Sequence, residues 1–356
     1  MSMNTGSAEE ISESCTSCGA CVASCAFLKK YGDPRELAKR ASTAEGRSIA
    51  YECSLCGLCD AVCPESLRPS HMLLDYRRQA VKGRETDLRP YKPVLNYERI
   101  GRSALFRLFA VPNAAETVFF PGCTLPGTRP HQTFQAWKYL RKIYPDLGVV
   151  LECCSKPSHD LGLQEGFESS FHALRERLQA AGVRRVIVAC PNCHKVFRQY
   201  AQGLELLTVY EVMAEHGDTP PIPLSERASV LHDPCPLRNE SAIHDAVRKL
   251  ADGLPCQVDS PKRSRGRTLC CGEGGAVGFV APGLAGKWTQ RVHRQAGKRR
   301  IITYCAGCAG FLSKGGEAVH LLDLFFGGDS GRTVGFPFTY LARLWLKRRL
   351  RRMIGR

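Results

Sequence analysis

Residues 15–26, CTSCGACVASCA, and residues 53–64, CSLCGLCDAVCP, set four cysteines each at the same intervals: Cys15-x2-Cys18-x2-Cys21-x3-Cys25 and Cys53-x2-Cys56-x2-Cys59-x3-Cys63. Three cysteines two residues apart wrap a tight loop around one metal body, and small residues (Gly19 and Ala20, then Gly57) let the backbone close in. Zinc sites draw on pairs of cysteines, not quartets. Two complete quartets therefore point to a larger cluster. Between the runs, YGDPRELAKRASTAEG (31–46) reads as helical, with Asp33 as cap and Pro34 in the first turn.

The chain around these runs has 356 residues, 44% hydrophobic and 24% charged, with nineteen cysteines. That length allows two or three domains. So many cysteines mean either a disulfide scaffold in a secreted protein or metal ligation in a reducing compartment. The start, MSMNTGSAEEISES, is polar and acidic with no apolar stretch of a secretory signal, which favours ligation and a cytoplasmic location. The formal charge of +16 counts every cysteine as neutral. Four tetrathiolate clusters at about −2 each would bring it to roughly +8, which still suits an acidic partner or an anionic membrane surface. No nucleic-acid motif accompanies the charge, and no apolar run reaches the ~18–20 residues of a spanning helix.

Both quartets resemble the ligand run of bacterial ferredoxins. The resemblance implies two cubane [4Fe-4S] clusters with crossed ligands, the fourth cysteine starting a helix that carries it to the other cluster: Cys15, Cys18, Cys21 and Cys63 on one, and Cys53, Cys56, Cys59 and Cys25 on the other. Pro64 follows Cys63 as in that family, whereas Ala26 follows Cys25. The helical insert makes an α-helical ferredoxin, assigned residues 1–85. Residues 86–115 read as a connector with one apolar helix around SALFRLFAV.

Beyond the connector the cysteines repeat. Cys123, Cys153-Cys154 and Cys190-x2-Cys193 return as Cys235, Cys270-Cys271 and Cys305-x2-Cys308, at offsets of 112, 117 and 115 residues. Five cysteines recurring in order indicate duplication, with copies at 116–225 and 226–330. Each group follows a short β-rich stretch: Thr117–Phe120, Val149–Leu151 and Val186–Val188, then Val230–Leu231, Thr268–Leu269 and Ile301–Tyr304. Helical patterns such as FESSFHALRERLQAAG lie between them. Strands alternating with helices imply parallel α/β layers, and such sheets gather ligands at the carboxyl ends of their strands.

This pattern resembles the CCG domain found in the B-type polypeptide of heterodisulfide reductase, and the whole chain resembles the fused D-type polypeptide of that family. Related proteins include iron–sulfur subunits of glycolate oxidase, anaerobic glycerol-3-phosphate dehydrogenase and lactate-utilisation enzymes. The resemblance implies one or two further, non-cubane [4Fe-4S] clusters, held by Cys123, Cys153, Cys154, Cys190 and Cys193 and by Cys235, Cys270, Cys271, Cys305 and Cys308. The second copy keeps the motif's glycine as Gly272, and the first has Ser155. Only Cys256 is left over, an incidental thiol.

His194 and His232, beside the cysteines, are candidates for proton donation at a disulfide or for hydrogen bonds to a cluster. The run Gly272-Glu-Gly-Gly275 lacks the Lys-Ser/Thr of a phosphate loop and reads as tight backbone around a cluster. No G-x-G-x-x-G opens a helix, so flavin or nicotinamide would come from another subunit. The tail, 331–356, ends in TYLARLWLKRRLRRMIGR, with Leu341, Leu344, Trp345 and Leu346 near one side and six basic residues between Lys347 and Arg356. That suits a membrane surface or a partner. Two functions are expected: a subunit that reduces or forms a disulfide, or a pure carrier between a flavoprotein dehydrogenase and a quinone or other complex.

Overall fold

The computed structural model describes residues 7–217, 227–327 and 333–354. The expected domain boundaries at 225/226 and 330/331, and Arg356, lie outside them.

The N-terminal region is helical. Asp33 accepts from the Glu36 N–H at 3.0 Å and Glu36 returns a bond to the Asp33 N–H, closing a capping box ahead of the helix Pro34–Lys39. A longer helix, Pro69–Lys82, buries Met72, Leu73, Tyr76 and Ala80. Cys25 caps the helix Ala26–Tyr31 as expected. Cys63 does not start one: the chain turns through Ser66 at φ +54°, and the next helix begins at Pro69.

Among the described residues nine strands follow: β1 (Leu108–Ala110), β2 (Thr117–Phe120), β3 (Gly148–Leu151), β4 (Arg185–Val188), β5 (Glu205–Thr208), β6 (Ser229–His232), β7 (Val258–Asp259), β8 (Arg300–Thr303) and β9 (Ala318–His320). They form two sheets, ordered β1-β3-β2-β4-β5 and β7-β6-β8-β9. Without β1 the orders coincide copy for copy, as duplication demands. All pairings are parallel except β1 with β3. The central strands are buried throughout and mostly apolar because helices cover both faces.

Two expectations give way. SALFRLFAV is not a helix: the helix lies earlier, at Lys92–Arg102, and Leu108–Ala110 instead pairs antiparallel with β3 as an edge strand. An apolar run this short fits either state, and sheet pairing decides it. Thr268–Leu269 belongs to no strand: the counterpart of β3 is β7, ten residues earlier, and the intervening chain folds back so that Thr268 donates to the Asp233 carbonyl at 2.7 Å.

Three modules share cores. Phe27, Leu37 and Met72 of the helical region pack in one cluster with Leu269, Trp288 and Leu312 of the second copy. Another cluster joins the two copies, and Tyr210 donates across it to the Ala189 and Tyr304 carbonyls. The second copy thus shares a core with each of the other two modules, and the helical region also touches the first copy, where the Tyr51 hydroxyl donates to the Leu161 carbonyl at 3.0 Å. The tail helix, Thr339–Ile354, lies on the first copy, burying Arg343, Leu346, Lys347 and Leu350 while Leu341 and Trp345 face outward. The expected grouping of Leu341, Leu344, Trp345 and Leu346 on one side is thus corrected: Leu346 is buried, Leu344 half-buried, and Leu341 and Trp345 exposed. Among the described residues no helix is long and apolar enough to cross a membrane.

Candidate redox centre

The two ferredoxin-like loops have matching backbones. Ser17 and Gly19 in the first, and Leu55 and Gly57 in the second, take positive φ at corresponding places (51°, 76°, 48° and 66°). Alternation of this kind turns successive N–H groups to one side, the concave arrangement that receives anionic groups and iron–sulfur clusters. The Leu55 N–H points to Cys53 Sγ at 3.4 Å. Cys15, Cys18, Cys21 and, from the other run, Cys63 line one small cavity. Cys18 is exposed, whereas Cys25, Cys53 and Cys59 are buried. Burial pushes the Cys25 thiol up to about 12 and lifts Cys53 and Cys59 well above the usual value. Thiolates are therefore costly here unless a cationic metal core accepts them.

In the sheets, register brings the cysteines together. Phe120 pairs with Val188, so Cys123 and Cys190 leave adjacent strand ends; His232 pairs with Thr303, so Cys235 and Cys305 do the same. Cys123 and Cys153 sulfurs approach to 3.7 Å, and those of Cys193 and Cys154 to 3.4 Å. Gly122 leaves room for this first set, since a Cβ there would stand 3.0 Å from Cys193 Sγ. Ser155 takes the left-handed backbone that its counterpart Gly272 also takes, at φ +57° and +105°. The first copy thus keeps the turn without the glycine.

All five cysteines of the first copy, and Cys235, Cys271, Cys305 and Cys308 of the second, line one cavity of about 1240 Å³. Cys270 sits behind it, where its thiol meets Cys56 of the inner ferredoxin loop. That contact, against burial and with help from the Arg238 charge, draws Cys56 down to about 6. Gly274 and Gly275 explain the glycine run: a Cβ on either would come within 2.5 Å of the Ser54 or Cys53 carbonyl. They serve the close approach of the second copy to that loop. Among the described residues, no three Cys, His, Asp or Glu side chains form a close array for a single metal ion.

Two residues missed by the sequence reading stand on this cavity. Lys156 and Glu273 each lie two residues past a cysteine pair, so aligning the copies would have found them as one position with opposite charge. Lys156 pairs with Asp160, whose other oxygen meets His159 Nδ1 at 2.9 Å; His159 Nε2 meets the Tyr200 hydroxyl at 3.0 Å. Burial, then the charge at Cys271, raises the Glu273 carboxyl to about 8. His194 does not line the cavity. It borders a separate one of about 190 Å³ with Phe197 and Arg198, and burial lowers it to about 4. His232 is buried near Cys271 with Nε2 unbonded among the described residues. Cys256 lies at the opposite, amino ends of β6 and β8, beside Ser229 and Arg300.

Comparison with known proteins agrees with this layout. Residues 11–67 match the 4Fe-4S dicluster domain, and residues 117–198 and 229–313 each match the cysteine-rich domain known as CCG. The chain is 24% identical over 328 residues to the B-type polypeptide of a fumarate reductase (CoM/CoB) of Methanothermobacter marburgensis, covering 83% of this chain and 66% of that one. It is 24% identical over 229 residues to the D-type polypeptide of a dihydromethanophenazine:CoB–CoM heterodisulfide reductase of Methanosarcina barkeri, covering 59% and 56%. An EtfAB:quinone oxidoreductase of Syntrophomonas wolfei is 26% identical over 137 residues, covering 36% and 19%. The chain spans about two thirds or less of the length of these relatives. A crystal structure of a hypothetical protein from Helicobacter pylori shares the fold, with a TM-score of 0.50 at 11% identity over 83% of this chain and 64% of that one.

Proposed function

We propose that this chain, an iron–sulfur electron-transfer protein with one 4Fe-4S dicluster domain and two CCG domains, homologous to the heterodisulfide reductase and fumarate reductase polypeptides above, carries electrons inward to a disulfide in the shared cavity. The supporting observation is that nine cysteines from both copies open onto one space. Cys15, Cys18, Cys21 and Cys63 would hold an outer cubane, and Cys25, Cys53, Cys56 and Cys59 an inner one. Each five-cysteine set would hold a further, non-cubane [4Fe-4S] cluster. Bound there, such clusters supply single electrons, and two facing one cavity match the two electrons a disulfide takes.

Reduction to two thiols also takes up two protons. Glu273 and Lys156 stand on the cavity wall where a proton and a cation are needed, the first to protonate a departing thiolate and the second to hold an anionic substituent. His232 serves as a hydrogen-bond donor toward the second site. The anaerobically purified, iron-loaded chain should reduce a disulfide with a reduced dye, and Glu273→Gln should slow this by about 10²-fold or more without changing dye oxidation by the clusters. Dye exchange without disulfide turnover would favour the second reading, a carrier between a flavoprotein and a quinone, which the match to the EtfAB:quinone oxidoreductase supports.

The tail supplies a membrane contact in either reading. Phe336, Phe338, Leu341 and Trp345 are exposed at its start, and Arg348, Arg349, Arg351 and Arg352 follow. Apolar residues beside cations suit an anionic lipid surface. Co-sedimentation with vesicles containing phosphatidylserine should fall when Phe338 and Trp345 become serine.

A further inference from the structure

Two arginines grip the inner ferredoxin loop from outside. Arg77, 0% exposed, donates to the carbonyls of Ala50, Tyr51 and Cys53, at 2.6 Å for the last, and to the main-chain carbonyls of Asp160 at 2.7 Å and Gly275 at 2.8 Å. It thus ties the loop to both CCG copies. Arg238, 6% exposed, donates to the Cys56 carbonyl at 3.1 Å and to Gly266 and Thr268 of the second copy. A third, Arg291, donates to the Ser24 carbonyl beside Cys25 at 2.6 Å.

Among the described residues neither Arg77 nor Arg238 pairs with a carboxylate. Arg129, equally buried, does, meeting Asp323 at 2.9 Å. Carbonyl dipoles satisfy the N–H groups but leave two desolvated positive charges uncompensated, which is costly without an anion nearby. A tetrathiolate cluster at Cys25, Cys53, Cys56 and Cys59 would bring a net charge of about −2, growing on reduction, to the loop both arginines hold; for Arg238 it would add to the Asp60 carboxylate on that loop, with which Arg238 forms no ion pair among the described residues. No arginine grips the Cys15–Cys21 loop in this way among the described residues.

We propose that Arg77 and Arg238 set the reduction potential of the inner cubane: their fixed charges favour its reduced form and offset the burial that would otherwise lower its potential beneath that of the outer one. Electrons then pass from the exposed Cys18 side to the buried loop, where Cys56 meets Cys270, without an uphill step. This rests on the cluster assignment above, not on the disulfide chemistry.

The test is an EPR-monitored redox titration of the anaerobically purified full chain, with iron content measured and the outer signal assigned from Cys18→Ala. Arg238→Gln should lower the inner midpoint by at least 59 mV, a tenfold change in the reduced-to-oxidised ratio at fixed potential, with the outer midpoint unmoved. Arg238→Lys, which keeps the charge, should restore most of it, and Arg77→Met should shift the same signal further. An unchanged inner midpoint in iron-loaded Arg238→Gln overturns the proposal, and so does an equal fall in Arg238→Lys, which would assign the effect to hydrogen-bond geometry. Iron content showing no cluster at the inner loop of the unaltered protein would overturn the cluster reading itself. If Arg77→Met fails to load iron, the Arg238 pair decides.

Discussion

At the scale of single residues, charge is where the two CCG copies part. Lys156 and Glu273 occupy one repeated position on a shared wall, and Lys156 is anchored by Asp160, which meets His159, whose far ring nitrogen in turn meets Tyr200. Burial alone would raise Asp160, but Lys156 and then His159 hold it well below the ordinary carboxylate range. A carboxyl depressed in the folded state contributes stability above its unfolded value near 4, and that contribution is lost as pH falls through the folded value. Asp160→Asn should therefore cost about 1–3 kcal/mol by an equal amount from pH 8 to pH 5, the gap closing only below about pH 4. Urea denaturation across that range checks the sign, and a gap closing already near pH 6 would assign the effect to His159. No local pattern announces this network, nor the arginines at 77 and 238. Their partners lie up to 198 residues away along the chain, so only the folded chain shows them.

At the scale of elements, what could be read followed from local chemistry. Asp33 and Pro34 mark a helix start whatever surrounds them, and TVFF, VVL and VIV are too apolar to lie anywhere but between covering helices. Where the local signal was thin, tertiary pairing decided: Leu108–Ala110 became an edge strand, Thr268–Leu269 lost its place to Val258–Asp259, and the tail helix chose a face its composition did not specify. That last choice is measurable. Leu346 is fully buried and Leu341 is 63% exposed. Leu346→Ala should cost about 2–4 kcal/mol and Leu341→Ala less than about 0.5, both by denaturant midpoint at unchanged slope. Equal costs would mean the helix is docked on its other side.

At the scale of the molecule, the ferredoxin-like region and the first CCG copy each lean on the second, so the second copy joins the two shared cores. The duplication made this possible: two copies of one sheet order, turned so that their strand ends face a common space. That facing depends on the interface between them, where Arg129 and Asp323 form a buried ion pair and Asp323 also accepts from the His320 N–H at 3.1 Å. Removing one partner of such a pair strands a charge, at about 3–5 kcal/mol. Arg129→Met should cost that much, while Arg129→Met with Asp323→Asn, which removes the stranded charge and keeps an acceptor for His320, should recover a large part of it. The same single change should lower disulfide turnover with iron content intact, because it loosens the facing of the two cysteine sets and spares each set internally. If turnover held constant while stability fell, the copies would work independently, and the shared cavity would owe its form to packing alone.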